Sequence, residues 1–217
     1  MTDAKQPTTR LERSQAARRA KVLGAVLELL RERGYDDVRV RDVWERTGVG
    51  TDTIYRYFGS RERMIAAAIA AWSEQAFIGP AASWLRGSTP AERVLSMTRG
   101  VWAVWEENAE LLEPFVRAAL VNPRDEDGVA IRSVRGMVPV MASALEDVDA
   151  DYRADVLLVI ESVTHSAMTK VIRGQLAIDE VYPMLERTIR RLAQHPAMDG
   201  HRPGGWSYRP RRRVRSR

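Results

Sequence analysis

Apolar residues recur along this chain at spacings of three and four, the signature of helices that bury one face. Val22, Val26, Leu29 and Leu30 define the first such face, with Ser14 as the expected N-cap and Gly34 as the stop. A short helix is predicted over Val40–Thr47, with Val40, Val43 and Trp44 turned inward. Gly48-Val49-Gly50 interrupts the pattern, and a second short helix follows over Thr51–Tyr57, anchored by Ile54 and Phe58. Ser60 caps the next helix, which runs through Met64, Ile65, Ile69 and Trp72 to about Phe77. Further helices are predicted over Ala91–Asn108, Ala109–Val121, Glu126–Asp147, Asp149–Arg173 and Ile178–Ala193, the third of these kinked at Pro139. No stretch alternates with period two, so no sheet is expected, and no internal repeat is seen. After Pro196 the periodicity stops, and residues to Arg217 are expected to be disordered.

Charge adds a polarity to this picture. Met1–Arg63 holds 14 basic and 10 acidic residues, Met64–Gly200 holds 13 and 19, and His201–Arg217 holds 7 arginines and no acid. Basic ends on an acidic body suggest that an end of the molecule meets a polyanion. The chain has no cysteine, which excludes disulfides, thiolate metal sites and a cysteine nucleophile. Its longest uncharged run, Gln75–Leu85, is too short to span a bilayer, and its first residues lack the apolar core of a signal peptide. A cytoplasmic protein without a membrane partner is the expectation.

The segment Val40–Phe58 has the proportions of a helix-turn-helix, two short helices joined by a glycine-containing turn. Its second helix offers Thr51, Asp52 and Thr53 toward base edges and Tyr55, Arg56 and Tyr57 toward phosphates. By spacing alone, a plain helical hairpin that packs a core is equally compatible.

Gly34-Tyr35, Arg41-Asp42-Val43, Gly48-Val49, the run Thr53-Ile54-Tyr55-Arg56-Tyr57-Phe58 and Ser60-Arg61-Glu62 together resemble the TetR family of bacterial repressors, over about Ser14–Met64. The resemblance implies an all-α fold: a three-helix DNA-binding head with the helix-turn-helix, joined to a helical ligand-binding and dimerisation body. It divides the chain into a flexible basic arm (1–13), a DNA-binding domain (14–63), an effector-binding and dimerisation domain (64–195) and an Arg-rich tail (196–217). It also implies that Tyr55, Tyr57 and Arg61 contact phosphates, that Thr51 and Thr53 lie in the major groove, and that Arg41 binds backbone or a base. Departures from the family pattern are Asp52 for glycine, Trp44 for alanine, Arg39 for a capping Ser/Thr, Arg61 for lysine and Gly50 for serine. Gly50 removes a hydroxyl contact at the start of the reading helix, and Asp52 needs a cytosine amino donor or neutralisation by Arg56. The expected partner is a pseudo-palindromic double-stranded operator read by a homodimer.

The body carries large apolar side chains suited to an adaptable pocket. Trp102, Trp105, Phe115, Met137 and Met141 are the expected lining of a cavity of several hundred Å³, with His165 or Arg117 as its polar anchor. A partial similarity of Met97-Thr98-Arg99, of Glu113 to Ala118 and of Val38 to Arg41 to actinobacterial repressors of lipid and sterol breakdown implies an acyl-CoA or other lipid metabolite as effector. Two stripes, Val156, Ile160, Val163, Ala167, Val171 and Val181, Leu185, Ile189, Leu192, are the expected dimer interface.

Competing functions find little support. Thr53 stands where a dinucleotide-binding Gly-x-Gly-x-x-Gly would need its third glycine, and neither a Walker loop nor His-Glu-x-x-His is present. Three histidines make a poor metal set, and neither an enzyme nor a cofactor is expected. The remaining alternative is a sequence-independent, nucleoid-type DNA binder driven by the Arg-rich tail.

Overall fold

The computed structural model describes residues 9–120 and 139–195. Met137 and the Arg-rich tail lie outside the described residues. Among the described residues every regular element is a helix: α1 (Arg10–Arg33), α2 (Val40–Thr47), α3 (Thr51–Phe58), α4 (Arg61–Ser73), α5 (Ala81–Trp84), α6 (Pro90–Glu107), α7 (Leu112–Leu120), α8 (139–144), α9 (Ala150–Ile172) and α10 (Ile178–Leu192).

Helix α1 starts five residues earlier than its apolar stripe suggests. Thr9, not Ser14, is the cap: its hydroxyl accepts from the Glu12 amide at 3.1 Å, and the Glu12 carboxylate accepts from the Thr9 amide at 3.0 Å. This reciprocal pair satisfies two otherwise orphaned donors, so helix replaces the flexible arm from Arg10 onward. Burial nevertheless begins only at Val22. From there Val22, Val26, Leu29 and Leu30 pack on Val38, Val40, Val43, Ile54, Phe58, Met64 and Ile65 to close the head.

Helix α4 runs from the head into the body and packs on α1 and α7. It ends in a single π turn, Glu74–Ile78, ahead of Gly79-Pro80. That turn carries Phe77 into the core, where Trp72, Phe77, Trp105 and Phe115 lie ring against ring at centroid distances of 5.0–6.4 Å. Tilted and edge-on contacts of this kind add to the area that the rings bury. Trp84 of α5 lies flat on α6 because residue 100 is glycine: a Cβ there would stand 2.4 Å from the indole.

Helix α6 opens with Pro90 in its first turn and a second capping box, Thr89 with Glu92. A 3₁₀ turn, Ala109–Leu111, separates it from α7, at the boundary between the helices expected over Ala91–Asn108 and Ala109–Val121. Helix α10 packs chiefly on α6 and also on α9.

The two stripes expected at the dimer seam face this same body. Val156, Ile160, Ala167, Val181, Leu185 and Ile189 are buried within the single chain, while Val163, Val171 and Leu192 are half-buried. Those six positions therefore belong to the core, because α9 and α10 close the body against α6, α7 and α8. Leu158 stands 62% exposed on the outer side of α9, so the all-round apolar run 156–160 is covered from within on one side only.

Candidate nucleic-acid interface and body cavity

The head builds the second helix of its motif from the inside out. Ile54 and Phe58, one turn apart, are 1% and 8% exposed and fix α3 on the core. The opposite face of α3 must then point outward, and it presents Asp52, Tyr55 and Arg56, with Thr51, Thr53 and Tyr57 half-buried at its flanks. Tyr57 lies edge-on to Phe58 at 6.1 Å, which ties its ring to the head.

The turn before α3 is set by Gly48, whose φ of 70° and ψ of 5° lie in the left-handed region that glycine enters without a Cβ clash. Thr47 reinforces it: its hydroxyl donates to the Val43 carbonyl at 2.7 Å and accepts from the Val49 amide at 3.1 Å. Lys21 of α1 donates to the Thr47 carbonyl at 2.8 Å, a cation at the C-terminal end of α2. Gly50 is the N-cap of α3 and brings no side chain to it.

Helix α2 begins without a capping hydroxyl, and the Asp42 carboxylate accepts instead from the Arg39 amide at 3.0 Å. Its side chains are only partly placed as expected. Trp44 is 43% exposed rather than turned inward, since Val40, Val43 and Thr47 already fill the inner face. Arg41 is open to solvent and pairs with Glu45 one turn on, at 2.9 Å. Arg46 forms a two-pronged pair with Glu32 at 2.7–2.8 Å, and this contact holds the Glu32 carboxyl below its ordinary range.

Arg61 departs from its expected role. Its guanidinium donates to the Val38 carbonyl at 2.6 Å and to the Tyr35 carbonyl, and it lies over the Tyr35 ring at 5.1 Å. Those donors are committed to the α1–α2 loop, so Arg61 braces the head instead of presenting its charge to a phosphate. Burial pushes the Tyr35 hydroxyl above its ordinary range, against the opposing charge of Arg61.

A cavity of about 100 Å³ lies in the body between α4, α6, α7 and α9. Ser73, Phe77, Ile78, Val101, Trp105, Phe115 and Met168 line it. Ser73 donates its hydroxyl to the Ala70 carbonyl at 3.0 Å, so the wall offers a ligand hydrocarbon and aromatic surface.

Of the expected lining among the described residues, Trp105 and Phe115 stand at this cavity. Trp102 is sealed in the core beside it, and Met141 packs with Val94, Ala144 and Leu145 in a second cluster. His165 is exposed on α9. Arg117 turns to the head, where it pairs with Asp36 at 2.6 Å and with Glu113 at 3.1 Å. Neither expected polar anchor therefore reaches the cavity. Ser73, Ile78 and Val101 were not legible as lining, because only the π turn and the helix crossings bring them together.

Residues 22–68 match the family described as bacterial regulatory proteins, tetR family. Residues 87–192 match the tetracyclin repressor-like C-terminal domain. The chain is 26% identical over 180 residues to the HTH-type transcriptional repressor KstR of Mycolicibacterium smegmatis, covering 82% of this chain and 88% of that one. It is likewise 26% identical over 180 residues to the KstR repressor of Rhodococcus jostii, covering 82% and 84%. A TetR transcriptional regulator from Rhodococcus sp. RHA1 shares the fold at a TM-score of 0.66 with 19% identity, over 82% of this chain and 97% of its own. A tetR-family regulator from Streptomyces coelicolor does so at 0.64 with 16% identity, over 82% and 81%. Among the described residues no helix is long and apolar enough to cross a membrane. With head and body matched in order along the chain, the protein belongs to the tetR family of bacterial regulatory proteins and is a DNA-binding transcription regulator.

Proposed function

We propose that this protein is a homodimeric repressor. Its two α3 helices read a pseudo-palindromic operator, and a small apolar effector in the body cavity releases it. The observation that carries the reading is the outward face of α3, held rigidly by Ile54 and Phe58. Thr51 and Thr53 approach base edges from that helix, Tyr55, Tyr57 and Arg56 approach the phosphates beside it, and Arg41 extends the contact from α2. Two heads on one two-fold dimer read half-sites about one helical turn apart, or a multiple of it.

The cavity supports the effector half of the proposal by its chemistry. At about 100 Å³ it is smaller than the roughly 150 Å³ apolar cavity that accepts benzene, so its rings and aliphatic groups suit a short or branched alkyl group. Larger effectors place only their apolar part there, as the acyl part of a thioester would, unless Phe115 or Met168 moves. Release follows if the liganded body favours a head spacing that no longer fits successive grooves.

Footprinting on the DNA upstream of the protein's own gene, with excess competitor DNA, tests the first half. A protected pseudo-palindrome supports operator reading. Uniform protection without sequence preference would instead identify a nucleoid-type binder. A screen of apolar compounds and acyl-CoA thioesters for loss of the footprint tests the second half.

A further inference from the structure

The cations of the head differ in their partners: some pair with a carboxylate, while among the described residues those at the start of α1, like Arg19, Lys21, Arg39, Arg56 and Arg63 elsewhere in the head, do not. Arg31, Arg33, Arg41, Arg46 and Arg61 each pair with a carboxylate of the protein. Arg10, Arg13 and Arg18, on the first turns of α1, have no carboxylate partner among the described residues. This half of the helix precedes the first buried residue, Val22, and so stands out from the core. Its one acid, Glu12, is engaged by the Thr9 cap.

Helical geometry gathers these charges. At about 100° per residue, Arg10, Arg13, Arg18 and Lys21 fall within an arc of roughly 140°, with Ala17 near its centre and Glu12 on the other side. The direction of that arc is fixed at its lower end, where Lys21 reaches the Thr47 carbonyl at the turn leading into α3. The opposite side of the helix is fixed as well, since Arg19 lies over the Phe58 ring at 5.3 Å. The arc therefore rises from the same edge of the head that presents the start of α3. From Lys21 to Arg10 it extends about 16 Å at 1.5 Å per residue, a length over which a duplex displays several phosphates.

We infer that this face of α1 is a second DNA-contact element, one that grips the phosphates flanking each half-site. The inference rests on the operator reading above and extends it to residues outside the helix-turn-helix. Three unpaired guanidiniums per protomer on a rigid rod, beside the reading helix and with no base-edge geometry of their own, suit backbone contact. They add affinity through counterion release without adding sequence preference.

The test uses the full chain and a duplex selected by the wild-type protein from a random pool. Arg10→Gln/Arg13→Gln/Arg18→Gln keeps good helix formers in α1, and circular dichroism checks that helix content is unchanged. Affinity is measured from 50 to 300 mM KCl. With three contacts per protomer in a dimer, the slope of log K against log [salt] becomes shallower by about 5, at roughly 0.9 per phosphate. Ethylation interference is lost at the flanking phosphates, and the selected sequence stays preferred. Arg190→Gln, a paired surface cation on α10, leaves the slope as it is. An unchanged slope in the triple variant overturns the inference while leaving operator reading intact. So does a loss of sequence preference at constant slope. A wild-type chain that selects no duplex overturns both.

Discussion

Arg117 of α7 lies over the ring of Tyr35 at 4.8 Å, on a head loop 82 positions earlier in the chain, while Arg61 approaches the same ring at 5.1 Å. Asp36 holds the Arg117 guanidinium at 2.6 Å and keeps it firmly charged. Two residues before Arg117, Phe115 lines the body cavity. Residues two apart on a helix point about 200° apart, so α7 touches the cavity with one side and the head with the other. A second tie, Arg31 to Glu110 at 3.2 Å and to Asn108 at 3.1 Å, joins α1 to the turn before α7.

Arg117→Ala is accordingly expected to leave operator affinity without effector within a few-fold of wild type and to weaken the effect of the effector on that affinity. Coupling between such sites is typically about 1–3 kcal/mol, so the loss reads as up to a hundred-fold fall in the ratio of the two affinities. The measurement is operator binding with and without saturating effector. A ratio equal to wild type would remove α7 from the path.

Tyr55 and Arg61 sit close in sequence but do different work. Tyr55 is 49% exposed and packs little of the core. Tyr55→Ala is expected to change stability by less than about 0.5 kcal/mol and to weaken binding to every DNA sequence. Thr53→Ala is expected to shift base preference more than affinity. Arg61→Ala removes the donors that satisfy the Val38 and Tyr35 carbonyls and costs about 1–3 kcal/mol. Urea unfolding beside a gel shift separates the two. Equal stability loss in both variants would undo the distinction.

Local rules carried much of this structure. The Gly48 turn, the Ile54–Phe58 anchor and the helix pattern follow from spacing and residue type alone. What failed was tertiary in origin. Arg61 and a phosphate-contacting cation look alike in sequence; only the folded loop supplies the two carbonyls that engage it. The α9 and α10 stripes show that a face is buried, but periodicity does not say whether the chain itself or a second copy buries it. The start of α1 is different: the Thr9-x-x-Glu12 box is legible in the sequence, but the apolar stripe of the core does not reach that far and so points to a later start.

Stability should fall in acid partly through Glu92. Its carboxylate accepts from the Ser88 hydroxyl at 2.8 Å, and from the Ser88 and Thr89 amides at 2.8 and 3.1 Å. These bonds, that of the Ser88 hydroxyl first, lower its pKa from the ordinary 4.5. A carboxyl with a depressed folded pKa contributes stability above its unfolded value and loses it as pH falls through the folded one. Glu92→Gln is therefore expected to lower the melting temperature at pH 7 and to flatten its decline below about pH 4.5. Parallel melting curves for the two proteins across that range would show that the α6 cap does not titrate with folding.

On the homodimer reading, the outer face of α9 is the surface left open for a second copy. Leu158 and Ile172 are exposed there at 62% and 36%, with His165 between them at the same helical register. A two-fold dimer puts one such face against itself, which would cover Leu158 on the side its own chain leaves open. Leu158→Asp is expected to leave the melting temperature of the monomer nearly unchanged and to move sedimentation from dimer to monomer. Operator affinity then falls steeply, because two linked half-sites are no longer bound together. Leu185→Asp is expected to behave in the opposite way. That side chain is 1% exposed inside the body, so an unpaired carboxylate there costs at least about 3 kcal/mol and lowers stability before it changes assembly. If Leu158→Asp still sediments as a dimer while Leu185→Asp dissociates with its stability intact, the seam lies on the inner stripes, and the packing of α9 and α10 against α6 would have to open to admit a partner.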